Sequence, residues 1–240
     1  MDTELTNTLT LSLLEEATAY HRWIFEKIRP HLRGNILEVG CGIGNLTGLL
    51  LSYGNVIAAD VNKGYIQTVE NKYRDHPNLK GVLLWNIEQK AARDLHCEID
   101  TILCSNVLEH IEKDEAVLGN LFPLLRGGGR LIVLVPALKG LYNVLDKELG
   151  HFRRYSRSEL LQKFTQNGFR ICSLEYFNLF GILGWFMNGT LFRRGLLPAR
   201  QIRMFNKMVP FFMRMEKIIP AWVGQSLIIV GEKDRKGDSP

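Results

Sequence analysis

Three features of the sequence predict an α/β fold on a doubly wound, mostly parallel sheet of seven strands, with helices on both faces and a helical insertion before the last strand. Short apolar stretches of strand character alternate with helical patterns along most of the chain, which is the mark of parallel strands joined by crossover helices. With 240 residues, 46% of them apolar, the chain can bury one large core and an added subdomain, whereas two independent domains would be cramped. Residues 36–44 read Ile-Leu-Glu-Val-Gly-Cys-Gly-Ile-Gly, a strand that runs straight into three alternating glycines and then a helical pattern over 45–53.

The elements follow in order. Leu13, Leu14, Ala17, Tyr20, Trp23, Ile24 and Ile28 recur at three- and four-residue spacing as far as Pro30, so one amphipathic helix precedes the first strand. A second strand over 55–59 ends in Asp60, and further strands are expected over 81–84, 100–104 and 130–135. The last of these is introduced by a glycine turn over 126–129, after a helix over 114–125. A helix over 157–167, a strand over 169–177 and a final strand over 226–232 complete the pattern. The expected organisation is one domain: a helical cap (1–33), a ligand-binding core (34–177), a helical lid (178–224), the last strand (225–232) and a flexible tail (233–240).

Gly40, Gly42 and Gly44 remove three Cβ atoms where a strand turns into a helix, so a ligand can press on the backbone and meet unpaired N–H groups. The spacing selects the ligand. A dinucleotide fingerprint needs glycine at position 45, where this chain has Asn45, and has no special use for an acid two residues before the first glycine, where it has Glu38. An acid there repels a pyrophosphate but suits a ligand with positive charge, such as the amino group and sulfonium of S-adenosylmethionine. Asp60, at the next strand end, is placed to accept hydrogen bonds from both ribose hydroxyls.

On these residues the chain resembles the class I S-adenosylmethionine-dependent methyltransferases of the small-molecule branch, whose first motif, E/D-x-G-x-G-x-G, is matched by Glu38, Gly40, Gly42 and Gly44. The resemblance covers residues 34–176 and implies a Rossmann-like fold, with S-adenosyl-L-methionine as cofactor. It further implies that the backbone of Gly40 lies against the methionine part, that Asp60 binds the ribose and that Val61 lines the adenine. The family usually has Asp after the third strand, against the adenine amine. Here Trp85-Asn86-Ile87 stands in that place, and the Asn86 carbonyl can accept the same hydrogen bond. The run Ser105-Asn106-Val107-Leu108-Glu109-His110-Ile111 looks like the fourth motif, where Asn106 would meet the methionine amino group.

The acceptor should lie outside the carboxyl ends of the strands, facing residues 136–155. That segment holds Tyr142, Asp146, Glu148, His151, Arg153, Arg154 and Tyr155. Its run Gly150-His151-Phe152-Arg153-Arg154-Tyr155 resembles a G-H-x-R-R-Y segment of one bacterial branch of the family. Methyl transfer from a sulfonium needs alignment, exclusion of water and removal of one proton. His151 leads as the base, because an imidazole titrates near neutrality, followed by His110 and Tyr155. Between residues 178 and 224, eight Phe and Trp residues are interleaved with seven basic residues against the single acid Glu216, a local excess larger than the net +5 of the whole chain. This segment reads as a lid in which Trp185, Phe186, Phe211 and Phe212 bury an apolar body. Tyr142, Arg153 and Arg154 serve the acceptor, the two arginines gripping an anionic group, and peripheral contact with an anionic membrane is expected.

Composition excludes other classes. Cys41, Cys97, Cys104 and Cys172 form no C-x-x-C pair and read as buried thiols of a reducing compartment. Ser105 and Asn106, at the fourth strand end, lack the acidic pair of catechol-type enzymes, so no metal is expected. The start of the chain lacks a basic segment followed by an apolar run, and the uncharged run 176–192 is shorter than the ~20 residues of a membrane crossing, so the expected location is the cytoplasm, with visits to the inner membrane surface. A nucleic-acid methyltransferase of the base-amine type would carry Asn/Asp-Pro-Pro-aromatic where this chain has Asn106-Val107-Leu108-Glu109, so no nucleic-acid partner is expected. A nicotinamide oxidoreductase is opposed by the glycine spacing, and none of the seven tyrosines has a lysine four residues on. Three readings stay open beside O-methylation: a C- or N-methyltransferase of a small metabolite, a nicotinamide-binding oxidoreductase in spite of that spacing, and a cofactor-binding module without turnover.

Overall fold

The computed structural model describes residues 3–89, 98–219 and 222–235. Seven strands form one sheet: β1 (Asn35–Val39), β2 (Asn55–Asp60), β3 (Leu79–Leu84), β4 (Ile99–Ser105), β5 (Leu125–Pro136), β6 (Phe169–Phe177) and β7 (Ser226–Lys233), in the order β3-β2-β1-β4-β5-β7-β6. All are parallel except β7, which runs antiparallel to both of its neighbours. The lid explains the reversal. β6 ends at the carboxyl edge, the chain crosses that edge as the lid, and β7 re-enters with Ser226 opposite both Phe177 and Pro136.

Side chains alternate across the sheet and so divide the core into two layers. Ile36, Val56, Leu103, Ile132, Leu134, Ile228 and Val230 pack on Trp23, Ile24 and Ile28 of α2 (Thr18–Ile28) and on Val209 and Phe212 of the lid. Leu37, Val39, Ile102, Leu131, Val133 and Ile229 face the opposite layer, where α5 (Asp114–Leu121) contributes Val117, Leu118 and Leu121, and α7 (Arg157–Gln166) contributes Leu160 and Phe164. Burial of each such side chain contributes about 1.5–3 kcal/mol, which fixes the sheet as the rigid base of whatever its carboxyl edge carries.

Several expectations differ in detail. The single N-terminal helix is two, α1 (Thr3–Glu15) and α2, separated at Ala17. The break lets α1 reach over the glycine turn, where Leu11 lies against Gly42, while α2 stays on the sheet. The helix after the glycines shortens to α3 (Thr47–Leu51). α5 stops at Leu121, because Pro123 has no N–H to continue it and Phe122–Leu124 closes as a 3-10 turn. The glycine run 126–129 does not precede β5 but lies inside it as an irregularity: Ile99 pairs Leu125, and regular pairing resumes at Thr101 and Arg130. Cys41 and Cys104 are buried as expected, but Cys172 is exposed, at a register shift in the edge strand β6. Cys97 and the tail beyond residue 235 lie outside the described residues.

The lid consists of α8 (Gly181–Trp185), a π-helical turn over Phe186–Leu191, and α9 (Ala199–Ile218). α9 buries Ile202, Val209 and Phe212 and is tied to the N-terminal helices through Asn206, which accepts from the Tyr20 N–H (3.1 Å) and donates to the Glu16 carbonyl (3.1 Å). Phe212 stacks on Phe180 at 4.4 Å and belongs to the core, contrary to the expectation that it meets an acceptor. Among the described residues no helix is long and apolar enough to cross a membrane.

Candidate active site

The carboxyl edge of the sheet, α1, α2 and the lid enclose a cavity of about 700 Å³. At one end is the glycine turn. Gly40, at φ +73°, approaches the turn after β4 so closely that an added Cβ would lie 2.2 Å from Val107 Cγ2, so that both the backbone angle and the space favour glycine. Gly42 N–H donates to Asp60 Oδ2 (2.9 Å), and Asn62 N–H donates to Asp60 Oδ1 (2.9 Å). Asp60 therefore joins the β1 and β2 turns as well as facing the cavity. Glu38 is buried with Oε2 accepting from the Thr47 hydroxyl (2.6 Å), and burial, reinforced by the Asp60 charge, pushes its carboxyl up to about 8 despite that bond. Val61, Asn86, Ile87 and Asn106 complete this end of the lining. The Asn86 side-chain oxygen accepts from the Glu88 N–H (2.9 Å) and keeps a second lone pair, while Asn106 sits at φ +54°, a conformation that asparagine tolerates.

Gly44 does not line the cavity. At φ +86° it faces Tyr73 and Val69 of α4 (Lys63–Tyr73), where a Cβ would come within 3.0 Å of the Tyr73 ring. Its glycine serves packing rather than a ligand. Tyr20 lines the cavity, whereas Trp23 packs in the core on Phe177, with ring centroids 4.6 Å apart.

The other end is built on Asp146, fully buried in the short helix α6 (Val144–Glu148). A capping box sets that helix: Asn143 Oδ1 accepts from Leu145 N–H (3.0 Å) and Asp146 Oδ2 from Asn143 N–H (3.0 Å). Asp146 Oδ1 also meets His151 Nδ1 (2.9 Å) and accepts from Arg154 Nε (2.8 Å), while Oδ2 accepts from Trp185 Nε1 (3.1 Å). Burial pushes this carboxyl upward, but bonds and charge from His151 and Arg154 outweigh it and hold Asp146 below the usual carboxylate range. With Nδ1 engaged by a carboxylate, Nε2 of His151 is the nitrogen left for the cavity. The His110 ring meets it edge on at 4.7 Å, and burial, with the His151 charge adding, depresses His110 to about 4. Glu109 beside them is fully buried, and burial raises its carboxyl to about 7.

The run 150–155 thus divides between two buried acids. His151 and Arg154 turn to Asp146 and line the cavity; Arg153 and Tyr155 turn to Asp114. Tyr155, fully buried, donates to Asp114 Oδ2 (2.7 Å), and burial with that contact drives its hydroxyl far up, so it is a core residue and no base. Arg153 binds Asp114 Oδ1 (3.2 Å) and the Glu112 carbonyl (2.7 Å) outside the cavity and cannot grip an acceptor. Arg154 reaches the cavity already neutralised by Asp146, with its second nitrogen on the Ala137 carbonyl (2.9 Å) and its plane over Trp185 at 4.8 Å. Tyr142 lies outside and donates to the His151 carbonyl (2.7 Å), which holds the loop. Trp185 does line the cavity, with Leu145, Leu149, Leu196, Leu197, Ile202 and Phe205 as its apolar neighbours. The sequence reading missed Asp114 and Asp146 as the organising acids and Glu109 as a buried acid of the lining; the Asn143-x-x-Asp146 capping pattern was the available signal for Asp146.

Residues 37–131 match a family model described as a methyltransferase domain. The chain is 26% identical over 149 residues to nodulation protein S of Azorhizobium caulinodans, covering 60% of this chain and 66% of that protein. It is 33% identical over 117 residues to the ubiquinone biosynthesis O-methyltransferase of Rickettsia typhi, covering 46% of each. It therefore spans less than two thirds of either relative. Its fold is similar to the magnesium protoporphyrin IX methyltransferase of Synechocystis PCC 6803, solved with SAM bound, with a TM-score of 0.55 and 16% identity over 94% of this chain and 82% of that one.

Proposed function

The chain carries a methyltransferase domain of the class I, S-adenosylmethionine-dependent fold, and from that premise we propose methyl transfer from S-adenosylmethionine to an oxygen of a small or amphipathic acceptor. One observation carries the reading. A single cavity joins a glycine turn flanked by Glu38 and Asp60 to a polar cluster of Glu109, His110 and His151. The first set fits the donor: the glycine backbone leaves room that a Cβ would fill, and two carboxyl groups favour a ligand of positive charge. Gly40 and Asn106 would hold its methionyl end, Asp60 the ribose, and Val61, Asn86 and Ile87 the adenine. When bound, S-adenosylmethionine supplies a methyl group already activated on a positively charged sulfur.

What remains for the protein is to orient the acceptor, exclude water and dispose of one proton. The histidine–carboxylate cluster, with His151 held by Asp146, handles that proton, a contribution on the order of a hundred- to ten-thousandfold. Trp185, Leu196, Leu197, Ile202 and Phe205 supply an apolar wall for the acceptor's body. With Arg153 and Arg154 committed to Asp114 and Asp146, an anionic group on the acceptor finds no unpaired arginine of that run. Arg200, Lys207, Arg214 and Lys217 are exposed on the outer face of α9, which favours an amphipathic or lipid-linked acceptor drawn from an anionic membrane surface by a protein of the cytoplasmic side. The similarity to a ubiquinone biosynthesis O-methyltransferase agrees with oxygen as the methylated atom, and a comparable similarity to the C-methyltransferase UbiE of Vibrio parahaemolyticus, 32% identical over 127 residues, keeps carbon as the second reading.

The test begins with a screen of hydroxylated amphipathic acceptors by formation of S-adenosylhomocysteine. His151→Ala should then lower turnover about 10²–10⁴-fold while donor affinity stays within about twofold. Parallel losses in both would contradict a role on the acceptor side.

A further inference from the structure

Glu109 follows β4 on the turn Leu108–His110, is wholly buried and lines the cavity, yet neither of its carboxyl oxygens has a hydrogen-bond partner from another residue. A carboxyl so placed is costly unless something meets it. His110 and His151 stand next to it, and one ligand atom from each of the three residues lies within 4.8 Å of the others. Both rings are already oriented from behind. His151 Nδ1 is held by Asp146 Oδ1 at 2.9 Å, and the His110 ring is engaged by the Gly150 carbonyl. Each imidazole therefore has one nitrogen committed to a protein acceptor and one directed elsewhere, the arrangement that outer residues impose on metal-binding histidines.

We propose that Glu109, His110 and His151 bind one divalent transition-metal ion at the acceptor end of the cavity. Two imidazoles and one carboxylate suit Zn²⁺ and its first-row neighbours rather than Mg²⁺ or Ca²⁺, and three protein ligands leave coordination positions open toward the cavity. Bond lengths of about 2.0–2.2 Å require the three ligand atoms to draw together by roughly an ångström, within reach of a rotation of the untethered Glu109 carboxyl. The sequence reading expected no metal because it looked only at Ser105 and Asn106; the proposed ligands lie on the next turn and on the segment that follows β5. Resting on the function proposed above, the site would take the acceptor's oxygen as a further ligand, so that the cation would lower the oxygen's proton affinity and its proton would pass to solvent instead of to His151. His151 is then a ligand and Asp146 its positioning residue.

The experiment needs neither donor nor acceptor. Chelator-treated, dialysed full-length protein is titrated with Zn²⁺ by calorimetry, and with Co²⁺ while visible absorption is followed. One ion per chain is expected, with Co²⁺ bands of a four- or five-coordinate nitrogen–oxygen site. Glu109→Gln, isosteric and without a partner to lose, and separately His110→Gln should each weaken Zn²⁺ binding at least tenfold, and Asp146→Asn about 10–100-fold. Binding of no ion, or binding unchanged in Glu109→Gln and His110→Gln alike, overturns the proposal. Titration of the same variants with S-adenosylhomocysteine keeps the two readings apart: retained donor binding with no metal sinks only the metal site, whereas absent donor binding in the parent protein sinks the methyltransferase reading.

Discussion

Glu38 is the residue whose chemistry most directly reports the charge of the bound ligand. Burial pushes its carboxyl to about 8 in the free protein, so at pH 7 it is mostly protonated. A ligand with positive charge favours the ionised form and expels that proton. Titration of S-adenosylmethionine at pH 7 in buffers of different ionisation enthalpy should therefore show proton release on binding, abolished in Glu38→Gln; proton uptake would contradict a cationic ligand beside Glu38. Asp146 makes the matching point for stability. It satisfies His151, Arg154, Trp185 and Asn143 from within the core. Asp146→Ala would leave the Arg154 guanidinium buried without its counter-ion, at a cost of about 3–5 kcal/mol, to be read in urea unfolding. The sequence showed the residues of the acceptor segment but not their direction. His151 to Tyr155 all carry polar or aromatic groups, and only tertiary packing decides that two of them turn to Asp146 and two to Asp114.

At the scale of elements, local patterns served where local physics governs. β6 matches its expected bounds, and α7 stops one residue short because Asn167 caps it. They failed where a distant contact decides. Nothing between Leu13 and Ile28 announces the break at Ala17, which makes sense only once Leu11 is seen over Gly42. The lid's aromatic residues likewise divide by contacts invisible in sequence: Phe180, Phe205 and Phe212 pack together, whereas Phe186, Phe192 and Phe211 remain exposed. On α9 the exposed positions form one stripe in which Arg200, Arg203, Lys207, Arg214 and Lys217 alternate with Met204, Met208, Phe211 and Ile218. Such a face suits an anionic lipid surface, each basic residue near it contributing about 1 kcal/mol. Sedimentation with phosphatidylglycerol vesicles should show binding at low salt that falls as salt rises, and that weakens in Lys207→Glu combined with Arg214→Glu. An absence of pelleting at low salt would remove membrane contact from the account.

For the whole molecule, the mostly parallel sheet and the end of it that carries the ligand were legible because both follow from chain-wide rules: alternation of strand and helix sets the parallel sheet, and the glycine turn marks its carboxyl edge. The cavity that spans from that turn to the histidine cluster was not, because three remote segments build it: the N-terminal helices, the 136–155 segment and the lid. The central claim is that this cavity binds S-adenosylmethionine. Calorimetric titration of the parent protein and of Asp60→Ala with S-adenosylmethionine and with NAD tests it most directly. The expected result is one S-adenosylmethionine per chain, little or no heat from NAD, and a loss of about 1.5–3 kcal/mol of donor binding in Asp60→Ala as the charge-assisted bonds proposed to the ribose disappear. Tighter binding of NAD than of S-adenosylmethionine, or a donor affinity indifferent to Asp60, would contradict it.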